Sequence, residues 1–427
     1  MIFRPFDKQR EFLQSNARIR GVFCGRRSGK SEIGAIEAII HAETQPGWDG
    51  SAVDEYVGVI LAPTMDMLRR LSMKKFLGFA KPFAPEVHKT FNEIRWHNGS
   101  LIYGLSADRP ERLEGIKAHW VWFDEVLQMD EQVFTEALAR VADTRGRIWC
   151  TGSLGVQYTN PKQHWVYKHF KQKPLADSAC FEWGTIDNPH FPRDEIARLR
   201  DTLDPQTFRQ MFELSWDTQS SAMVYEEFTD ANVIRGYKYD PSRETYFVLD
   251  FGFAHEMAGL FIQYDPRTDT VYVFDEIVSS RLKLEQLYDR MMAKPYRIMD
   301  YYCDISGTQE REQTGLSNVT WFKNPPRNIH FKYRQSAIQH GVSLVRSYVC
   351  NAKSQRRLFI DEVACPKTLD GVRNYSYPVK NGIIVNENPV KKDDDCVDAL
   401  RYFIVNRLDF TKQTGTFTEI NRWKLGG

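Results

Sequence analysis

The stretch from Arg20 to Glu43 restricts the fold more than any other. An apolar run, Gly21-Val22-Phe23-Cys24, leads into Gly25-Arg26-Arg27-Ser28-Gly29-Lys30-Ser31 and then into a segment rich in Ala and Ile. A strand, a basic glycine turn and a helix in immediate succession open a strand–helix–strand unit, which needs a crossover to a parallel neighbour. Tyr56–Ala62 (YVGVILA), His119–Phe123 and Arg147–Cys150 are further apolar runs, the pattern of strands buried on both faces. Asp7 to Asn16 reads as a polar helix, and Asn98-Gly99 between alternating runs predicts a hairpin over Glu93–Leu105. The fold class is α/β, with a parallel sheet in the first half.

A chain of 427 residues exceeds one ordinary core, so two domains are expected. We place the first at 1–215, a linker at 216–240, the second at 241–410 and a polar tail at 411–427. The second domain opens with three strands joined by turns (Thr245–Asp250, Gly259–Tyr264, Thr270–Phe274), a β-meander. A strand at Tyr301–Cys303 and a helix from about Asp394 to Arg407 follow. No run of about 18 apolar residues is present, so no membrane span is expected, and the first residues do not read as a signal peptide. Seven scattered cysteines without metal-type spacing fit a reducing compartment. The net charge of +1 supplies no global basic field, so any nucleic-acid contact must come from local patches.

The glycine turn is a candidate phosphate loop. Backbone N–H groups of such a loop and of the helix start face phosphate oxygens. Lys30 would contact the outer phosphates of ATP, and Ser31 would hold Mg²⁺. Gly29 and Arg26 lie in the same loop; Cys24 stands where the common pattern has glycine. Val121-Trp122-Phe123-Asp124-Glu125 is an apolar strand ending in two acids. Asp124 would serve Mg²⁺ and Glu125 would polarise the attacking water, although acids after a strand also cap helices. Thr151-Gly152-Ser153 ends the next strand, where small hydroxyls either sense the γ-phosphate or form a plain turn. Gln9 either reads the adenine edge or is an ordinary surface glutamine.

The second half carries acids in comparable positions. Asp250 ends one strand and Asp304 another, while Asp394, Asp395 and Asp398 open an amphipathic helix that places Asp398 on the face of the other two. An oxygen-rich set of this kind suits Mg²⁺ or Mn²⁺, and two such ions activate water and stabilise the leaving oxygen of a phosphodiester. Asp394 and Asp395 also suit a helix N-terminus as plain caps, but Asp398 lies past the first turn. Glu276, after the third strand, is a weaker candidate and reads more readily as a solvated strand end. Lys391 and Lys392 directly precede the helix and would hold a DNA strand, or are simply solvated.

Together these residues resemble the large terminase subunit of tailed bacteriophages. The resemblance runs from about Gln9 to about Phe403 through GRRSGKS at 25–31, LAPT at 61–64, SADRPERLEG at 106–115, VWFDE at 121–125, TGS at 151–153, VLDFG at 248–252, CDISG at 303–307 and DDDCVDALRY at 393–402. It implies an N-terminal additional-strand (ASCE) P-loop ATPase domain and a C-terminal ribonuclease H-like nuclease domain with a mixed sheet. In that family a ring of subunits, a pentamer on the portal protein of an empty procapsid, pumps double-stranded DNA inward. The nuclease cuts concatemeric DNA, and a small terminase subunit is the expected partner. The resemblance further implies a monomer in isolation, no membrane, and the host cytoplasm as the location, with transient residence on the procapsid. Carried over, Lys30 and Ser31 bind phosphate and Mg²⁺, Asp124 serves Mg²⁺, Glu125 is the general base, Thr151 to Ser153 couple hydrolysis to movement, and Gln9 reads adenine. Asp250, Asp304 and Asp398 ligate the nuclease metals, with Asp395 as the fourth contributor.

One departure stands out. Relatives carry an arginine finger before the acidic strand where this chain has Glu114; Arg109, Arg112 and Arg26 are the available substitutes. Two other readings compete. A helicase-nuclease or repair translocase shares the loop and the acidic strand but needs a second motor core. An ATP-gated assembly protein would not need the second set of acids. Contact with DNA is expected to be independent of sequence, through phosphates.

Overall fold

The computed structural model describes residues 3–45, 55–88, 92–155, 161–217, 222–252, 256–309, 316–380, 383–384, 386 and 388–409. The chain divides into two compact units, Met1–Ala197 with Phe208–Thr218, and Arg198–Thr207 with Gln219–Gly427. The tail expected at 411–427 lies outside the described residues.

The first unit is built on eight strands: β1 (Ile19–Cys24), β2 (Val57–Ala62), β3 (Glu86–His88), β4 (Glu93–Arg95), β5 (Leu101–Ser106), β6 (Trp120–Asp124), β7 (Arg147–Gly152) and β8 (Ser178–Trp183). Their order is β3-β4-β5-β2-β6-β7-β1-β8. The pairings among β5, β2, β6, β7, β1 and β8 are parallel, and only β3–β4 and β4–β5 are antiparallel. The expected hairpin is β4–β5, turning at Asn98-Gly99 with Gly99 at φ +91°. Strand β7 lies between β1 and β6, so one additional strand separates the loop-bearing strand from the acidic one.

The continuous apolar runs are explained by burial on both faces. In β6, Trp120 and Trp122 pack into one core and Val121 and Phe123 into the other. Helices α1 (Asp7–Gln14), α2 (Lys30–Thr44) and α3 (Met73–Ala80) supply the first core, and α4 (Glu131–Arg140) the second. Gly58 makes room for the Trp120 indole, since a Cβ there would stand 2.0 Å from the ring. Helix α2 is tied to β1 by the buried Arg20–Glu37 ion pair. His41 extends that link, 3.3 Å from Glu37 and 2.9 Å from the Tyr56 hydroxyl.

The second unit holds a seven-stranded mixed sheet of β9 (Val233–Ile234), β10 (Glu244–Asp250), β11 (Glu256–Asp265), β12 (Thr270–Ser280), β13 (Asp300–Cys303), β14 (Phe331–Tyr333) and β15 (Leu358–Asp361), in the order β14-β13-β10-β11-β12-β15-β9. The expected meander is β10–β11–β12, antiparallel throughout; the remaining strands add in parallel. Tyr246 and Val248 face a core shared with α6 (Ile338–Val349), α7 (Pro366–Asn374) and α8 (Asp395–Phe403). Phe247 and Leu249 face a core with α5 (Leu284–Met292). Part of the stretch expected to be a linker belongs to this unit: Val224, Tyr225 and Phe228 are in its core, and β9 is its edge strand. These few apolar residues sit among polar ones with no period of 2 or 3.6, so the sequence pattern does not reveal them. The final helix ends at Phe403 and continues as a π-helical turn over Ile404–Leu408.

Candidate functional sites

In the first unit, the loop between β1 and α2 is held from outside. Its carbonyls at Arg26, Arg27, Ser28 and Gly29 accept hydrogen bonds from Thr185 Oγ1 (2.6 Å), Asn188 Nδ2 (2.8 Å), Trp183 Nε1 (3.0 Å) and Gln9 Nε2 (3.1 Å). In a planar trans peptide the N–H of the following residue points opposite to the carbonyl. Four tethered carbonyls therefore aim the amides of Arg27 to Lys30 at the other edge of the loop, where an anion would sit. Gly29 adopts φ +83°, and a Cβ on it would lie 2.7 Å from Gln9 Nε2. Gln9 is buried, and its Oε1 accepts from the Phe6 amide at 3.3 Å, so its amide is engaged with the loop itself. Cys24 is the last residue of β1 and is fully buried in the core, where burial pushes its thiol well up.

The acidic strand ends beside this loop. Lys30 Nζ stands 2.9 Å from Glu125 Oε1. Burial works against the Lys30 ammonium, but Glu125 and Asp124 outweigh it and hold its pKa above the ordinary value. Asp124 is buried and accepts from Ser31 Oγ (3.0 Å) and Thr151 Oγ1 (2.8 Å) on Oδ1, and from Ser72 Oγ (2.7 Å) on Oδ2. Burial first and Glu125 second push the Asp124 carboxyl up, against Lys30, Ser72 and Thr151. Glu125 has φ +59°, in the left-handed region that non-glycine residues seldom occupy. The Ser153 hydroxyl at the end of β7 is buried without a hydrogen-bond partner. A hydroxyl and a carboxylate side by side, an amide-lined loop and a lysine are the donor set of a magnesium-nucleotide site. Arg26, Arg109, Arg112 and Glu114 are all exposed.

In the second unit, Asp250 ends β10, Asp304 follows β13, and Asp395 and Asp398 lie on α8. Burial pushes the Asp250 carboxyl well up, and the charges of Asp398, Asp304, Asp395 and Asp394 add to the shift in that order. The fold thus gathers on Asp250 the acids singled out in the sequence. Two of them, Asp304 and Asp398, are held by local donors. Asp304 accepts the amides of Ser306 (3.0 Å) and Gly307 (3.3 Å). Asp398 accepts from Arg401 Nε (3.1 Å) and lies 2.9 Å from its Nη2. Asp394 caps α8, its carbonyl accepting the Asp398 amide at 2.8 Å. Among the described residues, no three acids, histidines or cysteines are spaced to hold one ion together. The chemistry of the donor set, carboxylates alone, is that of hard divalent cations.

Sequence reasoning missed several partners. Buried Arg401 and partly buried Tyr402 follow Asp398 by three and four residues, one helical turn, so they share its face. Burial raises the Tyr402 phenol, and Asp250 and Asp398 add to the shift. Ser72, Thr185 and Asn188 belong to no recognisable pattern. Glu276 is placed elsewhere: its carboxylate accepts from the Lys367 amide, the Thr368 amide and the Thr368 hydroxyl at 2.9, 2.9 and 2.6 Å, capping α7. Lys392 is exposed and lines a cavity of about 520 Å³ with Glu256, Asp370, Asp393 and Asp395.

Comparisons with known proteins agree with this architecture. A family model described as the N-terminal part of the terminase large subunit, T4likevirus-type, matches residues 23–228, and one described as the terminase RNaseH-like domain matches residues 247–407. The terminase large subunit of Escherichia phage T5 is 21% identical over 377 residues, 81% of this chain and 79% of that one. The one from Bacillus phage SPP1 is 22% identical over 334 residues, 71% and 72% of the two chains. Among solved structures, the large terminase of a thermophilic bacteriophage superposes with a TM-score of 0.56 at 16% identity, covering 95% of this chain and all of that one. The same protein in complex with ATP-gamma-S gives 0.54 at 17% identity, covering 95% of this chain and 100% of that chain. Two models for the two halves of one protein, matched in order along most of the chain, place it in a single family: the chain belongs to the terminase large subunits.

Proposed function

We propose that this chain is the motor and nuclease of a bacteriophage DNA-packaging machine, driving double-stranded DNA into a procapsid with ATP and cutting concatemeric DNA. The observation that carries the reading is that one chain holds both sites, each on its own sheet: Lys30 and Ser31 against Asp124-Glu125, and four acids around Asp250. The first unit is assigned to the motor and the second to the nuclease. A helicase-nuclease would need a second motor core, and the second unit is instead a mixed sheet around an antiparallel meander.

In the motor, the amide edge of the loop and Lys30 hold the phosphates, Ser31 and Asp124 hold Mg²⁺, and Glu125 takes the proton of the attacking water. Magnesium bound there would neutralise charge on the outer phosphates. For Glu125 to act as base, Lys30 must leave it for the nucleotide, so the ion pair seen here keeps the base occupied until ATP arrives. Thr151 accepts the Trp122 indole N–H at 3.0 Å while bonding Asp124, which joins the β7 end to the magnesium ligand. Gln9, whose amide holds the loop at Gly29, is the residue proposed to read adenine.

In the nuclease, Asp250, Asp304 and Asp398, with Asp395, would hold two Mg²⁺ or Mn²⁺ ions, whose chemistry is to activate water and stabilise the leaving oxygen. Arg401 keeps Asp398 oriented, and Lys391 and Lys392 offer phosphate contacts beside α8. The partners are DNA, a portal protein and a small terminase subunit. The working form is a ring of five on the portal, with a monomer in isolation and the host cytoplasm as the setting. Among the described residues no helix is long and apolar enough to cross a membrane.

The test is plasmid cleavage with Mg²⁺ or Mn²⁺ and ATP hydrolysis, measured on wild type, Asp250→Ala and Lys30→Ala. Asp250→Ala should lose cleavage by at least about 100-fold and keep ATP hydrolysis, with the converse for Lys30→Ala. A wild type that never cuts, or an Asp250→Ala that cuts normally, would remove the nuclease and leave an ATP-driven translocase.

A further inference from the structure

Asp124 is held by three hydroxyls of different kinds. Ser31 opens the loop helix, Thr151 ends β7, and Ser72 closes a π-helical turn, Leu68–Ser72, between the short helix Met65–Met67 and α3. Such turns insert an extra residue into a helix and recur at functional sites. The effect here is local. Ser72 is 1% exposed, its Oγ donates to Asp124 Oδ2 at 2.7 Å, and the helix that carries it is pinned to α2 by the Lys75–Glu32 ion pair. The basic residues Arg69 and Arg70 of the same turn remain exposed.

The three hydroxyls are not equivalent. Ser31 and Asp124 are the residues that would hold magnesium; Ser72 bonds Asp124 Oδ2 and Thr151 bonds Oδ1, so the carboxylate is fixed through both oxygens even if the Ser31 hydroxyl were given up to a cation. A hydrogen bond from a hydroxyl to a carboxylate is charge-assisted and directional, and groups that orient a metal ligand govern affinity nearly as strongly as the ligand.

We infer that Ser72 is a positioning residue of the motor site, which fixes Asp124 for magnesium through its hydroxyl and lies outside every motif of the chain. The inference rests on the nucleotide reading above. It assigns to the π-helical turn a function in the site.

The experiment titrates Mn²⁺ into the full chain carrying Asp250→Asn, which removes the ions proposed for the second unit, with and without saturating ADP, which does not turn over; free ion is followed by electron paramagnetic resonance, and only the ADP-dependent uptake is counted. Ser72→Ala should raise the Mn²⁺ dissociation constant by about 10-fold or more, while ADP affinity in chelator stays unchanged. Ser72→Thr, which keeps the hydroxyl, should restore the wild-type value. In an Asp124→Asn background, Ser72→Ala should add nothing. Unchanged Mn²⁺ affinity in folded Ser72→Ala, or an equal loss of chelator-insensitive ADP binding, overturns the inference. Should Ser72→Ala fail to fold, Ser72→Cys takes its place, with the same expected weakening and the same overturning result. A wild type that binds ADP without recruiting Mn²⁺ overturns the nucleotide reading itself, and this shows before any substitution is made.

Discussion

Asp250 stands at the centre of the acids proposed to hold the nuclease metals. Its carboxyl is pushed well up by burial and then by Asp398, Asp304 and Asp395, so ionising it in the folded protein is costly. A folded pKa raised above the unfolded one contributes stability below the ordinary carboxylate range, and that contribution is lost as pH rises through the folded value. Metal-free protein should therefore melt lower at neutral pH than in mild acid. Asp250→Asn should melt higher than wild type in chelator at pH 7, by a few degrees, the response to about 1 kcal/mol in a unit of this size. Mn²⁺ should raise the wild type and leave Asp250→Asn nearly unchanged. Calorimetry at two pH values with and without metal reads all of this; a lower melting point for Asp250→Asn in chelator would refute it. At the same scale, Lys30 and Glu125 form an ion pair, and Glu125 holds a left-handed backbone that non-glycine residues seldom adopt.

Elements position these residues through contacts no motif encodes. The phosphate loop has a familiar sequence, but its orientation depends on Trp183, Thr185 and Asn188, more than 150 residues further along. Helix α7 depends on Glu276 at β12, whose carboxylate satisfies two amides and a hydroxyl at the helix start. Glu276→Ala leaves those amides without their charged acceptor and should destabilise the second unit by about 1–3 kcal/mol. Urea unfolding would measure it, and metal affinity of the folded fraction should stay the same. A loss of metal affinity without a loss of stability would return Glu276 to the acidic site.

On the scale of the whole molecule, the second unit recruits a piece of chain from within the first half. Residues 198–207 belong to it: Asn351 Nδ2 donates to the Asp201 carbonyl at 2.8 Å, the Ala352 amide to the Leu203 carbonyl at 2.8 Å, and Ser343 Oγ to Asp204 Oδ2 at 3.0 Å. Asp204 is fully buried. A nuclease fragment starting at residue 219 lacks these partners and leaves buried Asn351 short of an acceptor, whereas one starting at residue 193 keeps them. The shorter fragment should be less stable by about 1 kcal/mol or more for each lost bond, read as a lower urea midpoint. Equal midpoints would show that 198–207 contributes nothing to this unit.

What the sequence determined by itself is local or periodic. The apolar runs declared strands buried on both faces, Asn98-Gly99 declared the hairpin, and the placement of Lys30, Asp124, Asp250 and Asp398 at strand ends and helix starts nominated candidates for both sites, because chemistry-bearing residues lie next to the elements that present them. Tertiary structure decided what joins distant residues. It inserted β7 between β1 and β6, placed Ser72 on Asp124 across 52 positions, moved Glu276 to a helix cap and drew the stretch around Val224–Phe228 into a core. A lone serine, a glutamate inside a strand and a few scattered apolar residues carry no periodicity, and their partners are chosen only when the sheets close.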